Sequence, residues 1–442
     1  MISFDDFETR IAKCASPGIR PGLERIERLL SILGNPQGSY PAIHVVGTNG
    51  KGSTCAFLAS VFQAAGYKTA LYTSPHLESP GERLAIDGRF LEPERWMACT
   101  DKFAEIIAKD EVLREDPPSY FELVTTAAFL LAEEEKIDIA IVEAGLGGRL
   151  DATNLLSNVA CTAVASISMD HTEYLGNTLE AIAGEKFAVI KKDVPACYLG
   201  DNDSLIPLFE RFCCDVKAQP FVVSRDAQLY GVTVTEAGCE FDFFTCGFEL
   251  KRVRTCLLGR YQVYNAALAL SVLSRVMENF NRLTEGAVRI GILNTRWPGR
   301  LEVVSRDNAG EGPLVVLDGG HNPDGVAKLV ESAAELWGNR RLGVVYAAMK
   351  DKDYLACIET LNKLEAAFYA TCVPGMKRTL TADDIADAAR KTRWRNEVET
   401  FENPLDAIDS ASLDNDVVLV CGSLYLIGWV RFRLAGLERE GA

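Results

Sequence analysis

Short apolar runs alternate with longer stretches of helical periodicity along the first half of the chain. Ile43–Val46, Thr69–Tyr72, Ile137–Val142 and Val159–Ser166 are rich in β-branched residues and read as strands. Gly52–Ala65, Pro93–Lys109, Tyr120–Lys136 and Leu179–Lys191 read as helices between them. This alternation predicts a parallel sheet covered by helices. From about Ala218 to Cys256 the pattern changes. Phe221–Val223, Gly231–Val234 and Phe241–Phe244 predict a small antiparallel subsheet, and Asn265–Val276 a helix. Asn294–Arg300 sets Pro298 and Gly299 between two patterned regions, which predicts a boundary between domains 1–295 and 296–442. Beyond it, strands are expected at Leu314–Leu317, Leu342–Tyr346, Ala366–Thr371 and Val417–Val420, giving a second, smaller α/β domain.

Composition narrows the function classes. With 46 basic and 62 acidic residues the net charge is −16, which argues against sequence-independent nucleic-acid binding. An anionic ligand then needs a local cationic site. The apolar stretch Val417–Val430 is too short to cross a bilayer and is broken by Gly422-Ser423, so it reads as a buried strand followed by a helix. The acidic start Met1-Ile2-Ser3-Phe4-Asp5-Asp6 does not read as a signal peptide. Thirteen cysteines without CxxC or zinc-like spacing suggest reduced thiols. A cytoplasmic protein without membrane or nucleic-acid partners is expected.

The strongest local signal is Ile43-His44-Val45-Val46-Gly47-Thr48-Asn49-Gly50-Lys51-Gly52-Ser53-Thr54, a strand, a glycine turn and the start of a helix. Glycines let backbone N–H groups converge on an anion, and the helix N-terminus adds its dipole. Lys51 is placed to reach the β/γ-phosphates and Ser53 to meet magnesium. The spacing departs from the usual phosphate-loop pattern, with Val45 in place of the first glycine and Gly52 inserted after Lys51. His44, inside the apolar strand, reads as a packed core histidine.

The run Gly-Thr-Asn-Gly-Lys-Gly-Ser resembles the loop of the Mur ligase superfamily, and in particular its folylpolyglutamate and dihydrofolate synthase branch. Further segments carry the same resemblance in order: Ser74-Pro75-His76-Leu77 with Glu82-Arg83-Leu84, Glu143 to Asn154, Asp170-His171-Thr172, Tyr264-Asn265-Ala266, Arg296 to Arg300, Leu317 to Pro323, Met349 to Asp353, and Gly422-Ser423-Leu424-Tyr425. Each alone is weak; their shared order is specific. The resemblance implies an α/β protein with an N-terminal P-loop-type, mainly parallel sheet domain and a smaller C-terminal Rossmann-like domain. It implies an ATP-dependent ligase adding L-glutamate to dihydropteroate or to reduced folates such as tetrahydrofolate through an acyl phosphate. A monomer is expected.

The resemblance also implies roles. Thr48, Asn49, Gly50, Lys51, Gly52, Ser53, Thr54, Asn265, Arg300 and Asp318 are expected around ATP. Ser53, Glu143, His171 and Lys186 are expected around two magnesium ions, with Lys186 carbamylated. Chemistry alone makes His171 a poor magnesium ligand. Lys51, Lys186, Asp318 and His321 are the expected catalytic residues, the last two facing glutamate and ATP. Arg83, Ser119, Phe121, Asp151, Ala152, Asn154 and Leu155 fall where relatives hold the pterin-bearing substrate. Plainer alternatives stand beside these: Phe121 as core, Asn265 as a helix N-terminal residue, Arg300 as a hinge ion pair, Asp318-Gly319-Gly320 as a turn. Two other functions compete: a peptidoglycan-type Mur enzyme, and a nucleotide switch or ATPase. A GTPase would want Asn-Lys-x-Asp, and the nearest candidate, Asn362-Lys363-Leu364-Glu365, ends in Glu.

Overall fold

The computed structural model describes residues 2–18, 20–304 and 312–440. The chain divides into two compact units. The first comprises Met1–Gly231, Phe241–Arg254 and Tyr264–Thr295, the second Val232–Glu240, Thr255–Val263 and Arg296–Ala442.

The first unit is built on an eight-stranded sheet. In chain order its strands are β1 Ala42–Val46, β2 Thr69–Tyr72, β3 Leu84–Ile86, β4 Arg89–Phe90, β5 Ile139–Glu143, β6 Val159–Val164, β7 Ala196–Tyr198 and β8 Pro220–Val222. Their order across the sheet is β4-β3-β2-β5-β1-β6-β7-β8. Only β3 is reversed, running antiparallel to both of its neighbours, β2 and β4. β1 lies between β5 and β6, with Val45 opposite Glu143 and Val46 opposite Val164. The chain therefore leaves β1, β5 and β6 at one carboxyl edge, where ligands of open α/β sheets gather. All five residues of β1 and of β5 are buried, as expected of central strands covered on both faces. Phe7, Ile11, Trp96, Phe103, Leu123 and Phe129 belong to one core cluster of this unit.

Several elements differ from the sequence expectation. Phe221–Val223 does not join an antiparallel subsheet; β8 pairs parallel with β7 in the large sheet, Phe221 opposite Cys197. The antiparallel sheet instead has the order β11-β10-β9, from β9 Ala227–Thr235, β10 Gly238–Thr245 and β11 Phe248–Thr255. The helix expected over Leu179–Lys191 stops at Phe187. The helix expected from Asn265 starts at Arg260, so Asn265 lies in its second turn and is not N-terminal.

In the second unit, β12 Glu302–Val304, β13 Leu314–Leu317, β14 Leu342–Tyr346, β15 Ala367–Ala370, β16 Val398–Thr400 and β17 Val417–Cys421 form a sheet of order β12-β13-β17-β14-β15-β16. It is parallel apart from the edge strand β12. Val417–Val430 is, as expected, strand β17 running into the helix Leu424–Glu440. Trp337, Phe368 and Trp394 pack in this unit's core.

Candidate active site

The loop after β1 is held in place from the β6 side. Thr48 N–H donates to Ser166 O at 2.7 Å, Ser168 N–H donates to Thr48 Oγ1 at 3.1 Å, and Ser166 Oγ donates to Asn49 O at 3.1 Å. Gly50 has φ +84° and caps the helix Lys51–Ala64. A side chain at Gly50 would collide with Asn265, whose Cγ would lie 3.2 Å from the added carbon. Glycine at this position therefore serves the turn and brings Asn265 against the loop. Ser53 and Thr54 are buried in the first helical turn, Thr54 completely.

Two lysines converge on this loop. Lys51 Nζ donates to Thr48 O at 3.0 Å and lies 4.0 Å from Glu143 Oε1. Lys186, on the helix Leu179–Phe187, is 4% exposed, and its Nζ donates to Gly47 O at 2.8 Å. Burial, reinforced by the charge of Lys51, lowers the Lys186 ammonium to about 7, against the opposing pull of Asp170 and Asp151. Glu143, at the end of β5, is 5% exposed and accepts from Ser74 N–H at 3.2 Å.

The expected metal set is only partly assembled. Glu143 and Ser53 carry oxygen donors, the type magnesium prefers. Lys186 is a hydrogen-bond donor in this state, not a ligand. His171 sits at φ +50° with a 42% exposed side chain, and its Nε2 lies 3.9 Å from Asp170 Oδ2. It follows β6 at a distance, because that strand ends at Val164 and not at Ser166. Among the described residues no group of three or more His, Cys, Asp or Glu side chains is disposed to hold a metal.

The segment leaving β5 then borders a cavity of about 440 Å³. Of the seven expected substrate residues, Arg83, Ser119, Phe121, Asp151 and Ala152 line it; Asn154 and Leu155 do not. Ser119 is the N-cap of the helix Tyr120–Glu134, in a capping box with Glu122, which carries Phe121 into the wall. Arg83 Nε donates to His76 Nδ1 at 3.2 Å. Burial and the neighbouring guanidinium lower His76 to about 4, so it is neutral. Asp151 accepts from Leu146 N–H at 2.8 Å and Thr153 N–H at 3.0 Å. Its carboxyl is pushed up by burial, against these hydrogen bonds. Asn154 faces away: its Nδ2 donates to Arg149 O at 2.9 Å and its Oδ1 accepts from Lys191 Nζ at 2.8 Å. Leu155 packs on the core. Sequence reasoning missed Gly145, Leu146, Arg149, Arg20 and Tyr174 as lining residues. The first three stand inside the glycine-rich motif already singled out; Arg20 and Tyr174 carried no signal.

In the second unit, Asp318 follows β13 and is 5% exposed. Its Oδ2 accepts from Leu301 N–H at 3.0 Å and its Oδ1 from Gly320 N–H at 2.8 Å. Burial raises this carboxyl, and Arg300 pulls it the other way. A side chain at Gly319 would collide with the Arg300 guanidinium. His321 Nδ1 is 2.9 Å from Gly319 O and donates to it. The structure thus gathers Arg300, Asp318 and His321 around one turn.

Comparison with known proteins supplies the family. Residues 45–273 match the Mur ligase middle domain, and residues 299–424 match the Mur ligase, glutamate ligase domain. A Bacillus subtilis protein named dihydrofolate synthase/folylpolyglutamate synthase is 36% identical over 422 residues, 94% of this chain and 96% of the relative. A structure of Mycobacterium tuberculosis folylpolyglutamate synthase complexed with ADP matches with a TM-score of 0.88 and 30% identity, covering 98% of both chains. One of E. coli FolC in complex with DHPP and ADP matches at 0.85 and 30%, again over 98% of both. The chain belongs to the Mur ligase family, in its folylpolyglutamate and dihydrofolate synthase branch. It is an ATP-dependent ligase of that type.

Proposed function

We propose that this protein joins L-glutamate to dihydropteroate and also extends reduced folates such as tetrahydrofolate, each through an acyl phosphate. The observation that carries this reading is a shared wall. Glu143 stands at the phosphate loop, and Gly145 to Ala152, a few residues on, border the cavity that suits a flat aromatic acceptor. The substrate carboxylate attacks the γ-phosphorus of ATP and ADP leaves. The glutamate amine then attacks the acyl carbon, phosphate leaves, and the amine gives up a proton.

The physical difficulty is the approach of two anions. Lys51 offsets that repulsion and the charge of the transition state, as does Arg300 at the phosphates. Thr48, Asn49, Gly50, Gly52 and Ser53 cradle the phosphates, and Asn265, held against Gly50, meets the base. Asp318 and His321 orient ATP and glutamate. Ser53 and Glu143 would hold magnesium, which when bound neutralises phosphate charge. Lys186 is buried, and with its ammonium lowered to about 7 about half of it is free amine at pH 7, which suits addition of that amine to CO₂: a carbamate forms and a proton leaves, turning a donor into an anionic oxygen that would serve as a ligand for a second ion. His171 completes this set only by turning from its present exposed position.

Residues 1–295 serve ATP and the acceptor, and residues 296–442 serve glutamate and, through Arg300, Asp318 and His321, ATP as well. The protein works as a cytoplasmic monomer. Its thirteen cysteines are all free thiols, in keeping with a reducing compartment. No helix among the described residues is long and apolar enough to cross a membrane. Ala152, 2% exposed in the cavity wall, supports acceptance of dihydropteroate, because a small apolar side chain leaves room for the pterin. The test is ADP release by purified enzyme with ATP, magnesium and L-glutamate, offering dihydropteroate, tetrahydrofolate or a muramyl precursor. Turnover with the first two supports the reading; turnover only with the third replaces it by a peptidoglycan-type ligase.

A further inference from the structure

His44 lies in the middle of β1 with no solvent exposure. Its Nε2 is 2.8 Å from Thr153 Oγ1, and that hydroxyl is 2.5 Å from Asp151 Oδ1. Asp151 lines the acceptor cavity. The direction of this chain follows from proton counting. Both Asp151 oxygens stand as acceptors, Oδ2 towards Leu146 N–H and Oδ1 towards Thr153 N–H, and the Thr153 hydroxyl has one proton to give. Asp151 is therefore the acceptor of the Thr153 hydroxyl, as it is of the Leu146 and Thr153 backbone N–H groups. Thr153 Oγ1 must then accept from His44. The imidazole is fixed as the neutral tautomer with its proton on Nε2.

The rest of the surroundings agree. His44 Nδ1 is buried and has no hydrogen-bond partner. A proton there would be an unpaired cationic N–H in the core. Lys191 holds the same turn from the other end, donating to Asn154 O at 2.7 Å and to its Oδ1 at 2.8 Å. Its charge further opposes protonation of His44.

We propose that His44 is a positioning residue for the acceptor substrate: its Nε2–H holds the Thr153 hydroxyl, and through it Asp151, in the orientation that shapes the cavity wall. This rests on the reading of the cavity as the acceptor site. The bonds that hold the phosphate loop, from Thr48 and Asn49 to Ser166 and Ser168, do not pass through His44. Loss of the histidine donor should therefore weaken the acceptor and spare ATP. A histidine that only filled volume would be replaced by leucine without such a split.

The experiment has two arms on the full chain. ¹⁵N-histidine NMR at pH 7 should find His44 protonated on Nε2 alone. In steady-state kinetics, His44→Leu and Thr153→Val should each raise the acceptor KM about tenfold, the worth of one buried hydrogen bond. The ATP KM should stay within about twofold, and the double variant should be no worse than either single one, because both cut the same chain. His44→Gln, which offers an N–H at similar reach, should recover the acceptor KM to within about threefold. A proton on Nδ1, an unchanged acceptor KM in His44→Leu, equal rises for ATP and acceptor, or a multiplicative double variant would each overturn the proposal. If His44→Leu does not fold, the NMR arm and Thr153→Val decide. If the unaltered enzyme glutamylates neither dihydropteroate nor tetrahydrofolate, the acceptor assignment fails, while the tautomer is still tested on its own.

Discussion

Gly145 and Phe121 meet in the wall of one cavity: a methyl group at Gly145 would lie 2.8 Å from Phe121 Cε2 and closer still to Cζ. Gly145 is not among the positive-φ glycines, so its backbone is open to any residue. The glycine leaves room for the tip of the Phe121 ring, whose Cζ, Cε2 and Cε1 atoms are the ones a side chain there would meet. Gly145→Ala should push the ring out of place, an overpacking that costs about 1–3 kcal/mol. The expected result is a raised acceptor KM with the ATP KM unchanged, read from initial rates with each substrate varied in turn.

Lys51 is placed for charge and not for packing. Its ammonium meets the Thr48 carbonyl and approaches Glu143. Lys51→Ala should lower kcat by about 10²–10³, the usual loss for one electrostatic stabiliser. The thermal midpoint should move little. Near-normal turnover in a folded variant would contradict the phosphate-loop assignment.

Lys186 should exist as a carbamate in the working enzyme. Intact-mass measurement under native, bicarbonate-containing conditions should show one added CO₂, absent from Lys186→Ala. That variant should lose most activity and regain part of it with small carboxylic acids. An unmodified mass in fully active enzyme would contradict the proposal.

His44 gives the protein a specific acid sensitivity. Burial holds the folded imidazole at about 3, below its ordinary 6.5. The unfolded chain therefore binds a proton that the folded one refuses between those values. Stability from this group is complete above pH 6.5 and is lost as pH falls towards 3. At pH 5 the loss is about 2 kcal/mol. His44→Gln should flatten the stability curve between pH 7 and 5, measured by urea melts; parallel curves for the two proteins would contradict it.

Where the sequence is dense in apolar or glycine signals, the structure was legible in it. β2, β13 and β14 and the helix Pro93–Lys109 have the expected bounds. What escaped is physically explicable. β11 is Phe-Glu-Leu-Lys-Arg-Val-Arg-Thr, with exposed charged residues between buried Leu250, Val253 and Thr255, so no apolar run marks it. β8 is only three residues long, and its parallel partner is set by tertiary packing. His44 was legible as a core histidine, but its bond to Thr153 spans 109 positions and has no local trace. Lys186 looks like any helical lysine; only burial against Gly47 O distinguishes it from a solvated one. The turn at Asp151–Asn154 was legible as a motif, yet its two ends differ: Asp151 borders the cavity, while Asn154 is spent on Arg149 and Lys191.

The central claim is that the cavity beside the phosphate loop takes a pterin-bearing carboxylate and that this enzyme accepts both kinds. The direct measurement is incubation of purified enzyme with ATP, magnesium, L-glutamate and dihydropteroate, following dihydrofolate by chromatography and ADP in parallel. The prediction is one dihydrofolate per ADP, with ADP release falling to background without glutamate. No dihydrofolate, alongside clear glutamylation of tetrahydrofolate, would contradict the dual activity and leave a polyglutamate synthase alone.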